Sequence, residues 1–458
     1  MESIVLIPGI IAALWGLRFG PVRVFLNFYL PTLFLLPEYY RWTVPGIPKV
    51  TFSQPVILIT AYAIWSHGGF KRWKFTLTDV LVFCFVASFS ISEYVNKGYK
   101  ESQNLTFDML TWFLLPYIVA KAIIEPMEQR VAFMRRVVQL MAAIAVISLF
   151  EFRMGMTPFQ LLLARFFPYQ GTGWVTTFRW GFARIAGPYG HAILCGLIFV
   201  IAYRLQRWLE WHHGWEDRFR RIPLPFDKGF LLRLALLAGS LMSMVRGPWI
   251  GGILGGTFAI IGNSVNPRRA SVRVGLIVLA IGIPTGTAFY SYVSVGRANA
   301  KSVSQESAAY RKELVDKYLT IAEDHAWFGY GRSNFPIVAG MTSIDNYYLL
   351  LSLWHGFIAS GLLIFLLFGT TIRLFRRGLR ETDLGFPRPS LAFTLAGILV
   401  AVIFTLATVY MGTQVIPIVA MLLGWSDAYL LGPMCSEVSE SAASAELIAN
   451  LRFTRVVT

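Results

Sequence analysis

Thirteen apolar segments, with basic residues returning in every second loop between them, leave this chain little choice of fold. The segments lie near 3–17, 21–37, 55–66, 77–92, 107–124, 137–152, 191–206, 229–245, 248–264, 274–293, 346–372, 390–411 and 414–433. In hydrocarbon a backbone must satisfy its own hydrogen bonds, and apolar runs of this kind do so as helices. Composition agrees: 55% hydrophobic residues and 14% charged residues are too apolar a balance for an ordinary soluble domain. The expected fold is all-α, a polytopic membrane helix bundle of about 12–13 transmembrane helices. It forms one integral membrane domain over residues 1–433, followed by a tail at 434–458. The first segment lacks a basic start and a small-residue cleavage site, so it reads as a retained helix and not as a signal peptide.

The charges orient this bundle. Arg18 and Arg23, Lys71 to Lys74, Arg130 to Arg136, Arg207 to Arg221, Arg268 to Arg273 and Arg373 to Arg380 fall in alternate loops. The positive-inside rule makes those loops cytoplasmic, with the N-terminus outside and the tail inside. Basic loops facing anionic lipid account for the net charge of +16, so nucleic acid is not implied. Cys84, Cys195 and Cys435 have no metal or redox spacing and read as packing residues.

Three stretches are left outside: Arg153 to Gly190, the break at Arg246-Gly247-Pro248, and a large loop over 294–345. The first holds Arg153, Arg165, Arg179 and Arg184 and no acidic residue. A basic surface where the rule disfavours it points to an anionic ligand held by guanidinium groups, or to arginines snorkelling to headgroups. Arg246 sits where Gly247 and Pro248 interrupt an apolar run, facing a cavity in one reading and headgroups in the other. In the large loop Leu314, Val315, Tyr318, Ile321 and Ala322 share one face of an amphipathic helix, lying over the bundle or at the lipid interface. That helix ends at His325, a partner for the helix dipole or a catalytic group, beside the glycine-rich turn that carries Tyr330 and Arg332. Asp345 and Asn346 stand where the chain re-enters the membrane, and Asp345 reads either as a helix cap or as a general base. His191 opens the helix after the arginine-rich loop and is a secondary candidate. No nucleotide, metal or serine-hydrolase motif occurs, so no cofactor and no metal is implied.

Four of these pieces together resemble the O-antigen ligase and Wzy-type polysaccharide polymerase family of bacterial envelopes. They are Arg184 with Gly187-Pro188-Tyr189-Gly190-His191, Val245 to Gly251 around Arg246, Asp324 to Gly331, and Asp345-Asn346-Tyr347-Tyr348-Leu349 followed by Gly356 and Gly361. The likeness covers roughly residues 180 to 365. It implies a GT-C-like, metal-independent glycosyltransferase of the bacterial inner membrane, working on the periplasmic side with an undecaprenyl-diphosphate-linked glycan as donor. It implies that Arg184 and Arg246 bind the diphosphate, and that Asp345 stands where the ligases carry a histidine that activates the acceptor. An aspartate there is intrinsically a weaker base, or it orients the acceptor through paired hydroxyls.

The expected function is thus a polymerase joining exopolysaccharide or O-antigen repeat units, with Asp345 and His325 catalytic and Arg179, His191, Tyr330, Arg332 and Asn346 in secondary contact with substrate. The alternatives are an O-antigen ligase acting on lipid A core, and a transporter or flippase whose arginines line a path. Expected partners are the lipid-linked donor, a glycan acceptor, the bilayer, and other export or chain-length proteins.

Overall fold

Each apolar segment becomes one helix, the large loop adds another long one, and a short unnumbered helix, Pro158–Leu163, lies in the arginine-rich loop. The computed structural model describes residues 2–171, 176–215, 227–341 and 343–433; the expected tail, with Cys435, and the basic positions Arg218, Arg220 and Arg221 lie outside the described residues. In order the helices are α1 (Ile7–Phe19), α2 (Pro21–Leu35), α3 (Ser53–Ser66), α4 (Leu77–Lys97), α5 (Tyr99–Ile123), α6 (Arg130–Met154), α7 (Ala192–Trp211), α8 (Lys228–Met242), α9 (Arg246–Asn263), α10 (Pro267–Val293), α11 (Val303–Asp324), α12 (Tyr347–Asp383), α13 (Leu391–Leu406) and α14 (Val415–Leu431). Six of them, α4, α5, α6, α7, α10 and α12, are long and apolar enough to cross a membrane, and α1, α2, α13 and α14 are shorter apolar helices. The protein is a mostly helical membrane protein.

Small residues let the helices approach closely, which is how helices gain contact where lipid is as apolar as leucine. A Cβ on Gly255 of α9 would lie 2.1 Å from the carbonyl oxygen of Gly397 in α13, and one on Gly397 would lie 2.3 Å from that of Gly255. At one end of the bundle the helix ends are joined by buried charge. Lys121 Nζ lies 2.7 Å from Asp79 and 2.8 Å from Asp427, while the Thr78 hydroxyl donates to Asp427 at 2.6 Å and Arg373 stands 3.6 Å from the same carboxylate. This is the end that carries the basic loops. The opposite, loop-bearing end holds every candidate residue.

Three differences from the sequence reading have simple causes. α5 begins at Tyr99 and not near 107, because Gly98, with φ +81, allows a tight helical hairpin in which Ser102 and Thr106 donate to Ser90. α12 runs on to Asp383 but breaks at Gly356, where φ is 78° and ψ is 174°. The glycine-rich turn fills that break: Phe357 N donates to Ala326 O at 2.7 Å, Tyr330 N to Leu353 O at 2.8 Å and Gly331 N to Trp354 O at 2.9 Å. These are the backbone groups that an interrupted helix leaves without partners. Finally, Val315 is exposed, while Leu314, Tyr318 and Ala322 pack on Leu349, Leu350 and Leu353 of α12. α11 therefore lies over the bundle.

α10 is set apart. It buries only Pro267 and Val293, its two end residues, and every residue from 275 to 292 is exposed.

Candidate functional site

The arginine-rich loops converge on the short break between α8 and α9. Met244, with φ 48°, turns the chain there, and Arg246 opens α9. Pro248 falls in the first turn of that helix, where a missing N–H costs nothing, so the break precedes the arginine. A hairpin of two short strands, β1 (Phe178–Arg179) and β2 (Phe182–Ala183), turns at Trp180 and Gly181, both with positive φ, and carries the chain to the break.

The side chains tie these segments together. Arg179 Nη1 donates to Met244 O at 2.7 Å. Arg184 Nε donates to Ser243 O at 3.4 Å and its Nη1 to Thr177 Oγ1 at 3.2 Å, while Ile185 N donates to Met242 O at 3.3 Å. Arg179 and Arg184 thereby sit on residues 243 and 244, next to Arg246, whose side chain is exposed. Burial, with a further push from the like charge of Arg179, lowers the Arg184 pKa to about 10. It stays cationic at neutral pH, and an anion placed between the two guanidinium groups relieves their repulsion.

His191 caps α7: its Nδ1 accepts the Ile193 N–H at 3.1 Å, which assigns the ring proton to Nε2. Burial, and next the charge of Arg184, draws its pKa down to about 4, against the opposite pull of Asp345. The imidazole is neutral at pH 7 and a donor at Nε2. Its ring meets Tyr410 edge-on at 5.8 Å, and burial followed by the charge of Asp345 raises the Tyr410 pKa. Asp345, half-buried, accepts from Ser343 Oγ at 2.9 Å. Its charge acts on His191 and Tyr410, and on Tyr310 of α11 as well. The capping role belongs to Asn346, whose Oδ1 accepts the N–H groups of Tyr348 and Leu349 at 3.1 and 3.2 Å. Asp345 is thus not the cap of α12.

His325, Tyr330 and Arg332 form a second group. His325 follows the last turn of α11 and packs on Tyr330 with the rings tilted by 43°, centroids 4.0 Å apart, and Tyr330 OH donates to Ile321 O at 3.2 Å. Arg332 turns toward Glu93 of α4, with Nε 3.6 Å from the carboxylate. No hydrogen bond, ion pair or ring contact among the described residues joins this group to Arg184, His191 and Asp345. A cavity of about 700 Å³ opens at the basic end, remote from both groups. Among the charged residues in its walls, Arg130 pairs with Glu125 and Arg377 with Glu381.

No protein-family model and no curated protein matches the chain. Two neighbours of the site escaped the sequence reading. Tyr410 lies in a loop with no motif around it, and nothing local marks it. Glu151 carried a signal, an acid inside an apolar run, which by default marks function in a membrane segment. It accepts the N–H groups of Ala186 and Gly187 at 2.8 and 2.9 Å.

Proposed function

We propose that the protein is a membrane glycosyltransferase of the polysaccharide polymerase kind, joining repeat units from a polyprenyl-diphosphate-linked glycan, with twelve or thirteen spanning helices in a GT-C-like arrangement. The observation that carries this reading is the gathering of Arg179, Arg184 and Arg246 at one helix break, with a neutral histidine and a carboxylate on the same site. The charge parity of the loops puts that end of the bundle outside the cytoplasm.

In this reading Arg184 and Arg246 hold the donor diphosphate and His191 adds a neutral hydrogen bond through Nε2. The acceptor hydroxyl oxygen attacks the anomeric carbon, its proton passes to Asp345, and the bond from that carbon to the diphosphate oxygen breaks. The lipid diphosphate departs with the bonding pair, and the guanidinium groups stabilise the charge that develops on it. The energy comes from the activated sugar, and the chain's own residues supply the grip and the proton acceptor. Arg332 and His325, held by Glu93 and Tyr330, shape the α11 lid.

Arg184→Ala and Arg246→Ala are each expected to lower polymer formation from purified lipid-linked repeat units by at least about a hundredfold, with normal protein in the membrane. Wild-type chain length in both variants defeats the diphosphate role. A ligase shows instead as transfer of finished glycan to a separate acceptor, and a transporter as movement of substrate across vesicles without new bonds.

A further inference from the structure

Glu151 lies near the end of α6, only 2% exposed, and its carboxylate takes one backbone N–H on each oxygen, from Ala186 and Gly187. Those residues lie between Arg184 and His191, separated from the arginine only by Ile185. Ala186 has φ −111° and ψ −21°, and Gly187 has φ +56°. A right-handed residue followed by a left-handed one turns successive amides toward one point, a concavity that binds anions. Here the protein's own carboxylate occupies it.

We propose that Glu151 is the positioning residue of the diphosphate grip, fixing the backbone between Arg184 and His191 so that both side chains meet the ligand in register. The inference rests on the diphosphate reading of the site. Between Ile185 and Tyr189 the other ties are neutral: Ile185 N to Met242 O, Thr157 Oγ1 to Gly187 O at 3.3 Å, and Tyr189 OH to Met141 Sδ at 3.0 Å. A buried carboxylate is costly, and an apolar contact of the same volume is often as stable or better. What the charge adds is geometry. Two charge-assisted bonds to adjacent amides fix two successive peptide planes, which packing does not do. Glutamine cannot replace it, because its NH2 would face one of the two N–H donors.

The test is binding of a polyprenyl diphosphate, and separately of the monophosphate, to the purified full-length protein in detergent. Glu151→Gln is expected to weaken diphosphate binding about tenfold, the loss of one charge-assisted hydrogen bond's worth, and to narrow the preference for diphosphate over monophosphate. In an Arg184→Ala background the same substitution is expected to cost less, since only the share that acts through His191 is left. Gly187→Ala, which keeps the carboxylate but strains the φ +56° turn, is expected to reproduce the loss and decides the matter if Glu151→Gln does not fold. If Arg184→Ala alone binds like wild type, the diphosphate reading itself fails. If Arg184→Ala weakens binding while Glu151→Gln or Gly187→Ala leaves affinity and preference unchanged, or Glu151→Gln costs as much in the Arg184→Ala background, the role of Glu151 is overturned.

Discussion

Asp345 and Asn346 are adjacent, and their side chains do different work. Asn346 accepts two amides at the start of α12, so Asn346→Ala should cost about 1 kcal/mol of stability, read as a lower melting temperature in detergent. Asp345 caps nothing, so Asp345→Asn should leave melting unchanged and lower polymer formation at least about tenfold. Full activity in Asp345→Asn would remove it from the chemistry. Glu38, on the same end, gives a pH signature. Burial, opposed by hydrogen bonds from Thr51 and Ser53 and by Arg41, lifts its pKa from 4.5 to about 7. The folded state therefore binds this proton more tightly than the unfolded chain. Its contribution is full below pH 4.5 and is lost as pH rises through about 7. The melting temperature of Glu38→Gln protein should accordingly fall less than that of wild type between pH 4.5 and about 7, the unfolded and folded values of this group. Parallel curves would show that Glu38 does not titrate in that window.

At the scale of elements, two glycines in helices predict opposite outcomes. A Cβ on Gly356 would lie 2.2 Å from Trp327 O, at φ +78°, so Gly356→Ala must push the glycine-rich turn out of the α12 break. A loss of about 2 kcal/mol or more and protease sensitivity near residue 327 are expected. Gly282 in α10 has nothing within 4 Å of its Cβ position, and Gly282→Ala should leave stability within about 1 kcal/mol of wild type or slightly raise it. Equal damage from both would contradict the described packing of α10 and α12. The helices themselves were legible in the sequence because hydropathy is local and charge parity checks it globally. The pairing of Arg179 and Arg184 with carbonyls 60 or so residues away was not, because backbone acceptors leave no mark on composition. Nor was the cap at Asn346, since Asp and Asn serve equally well there. The lid face was read correctly at Leu314, Tyr318 and Ala322. Val315 failed because helical spacing puts it on the edge of that face, and only the neighbour across it decides its burial.

For the whole molecule, the two ends differ in how their charge is used. At the basic end Lys121 holds two carboxylates, with side chains 3% exposed or less, and Lys121→Met leaves Asp79 and Asp427 buried together. A loss of about 3–5 kcal/mol is expected, seen as poor recovery of folded protein from the membrane; Lys121→Met with Asp79→Asn and Asp427→Asn should recover much of it. At the loop end Arg179 and Arg184 are held instead by the backbone carbonyls of Met244 and Ser243. Between the two ends, α10 stands with no described residue packed over its middle turns. At 1.5 Å per residue, its 27 residues reach about 40 Å, longer than the roughly 30 Å of hydrocarbon in a typical bilayer. Held only at its tips, it takes its tilt from the thickness of the membrane and not from a neighbouring helix. Its upper tip is tied to the lid, since Gln305 of α11 donates to Tyr292 O at 3.0 Å. In the proposed function, the height of α11 above the site is then set in part by the lipid, which the chain does not encode.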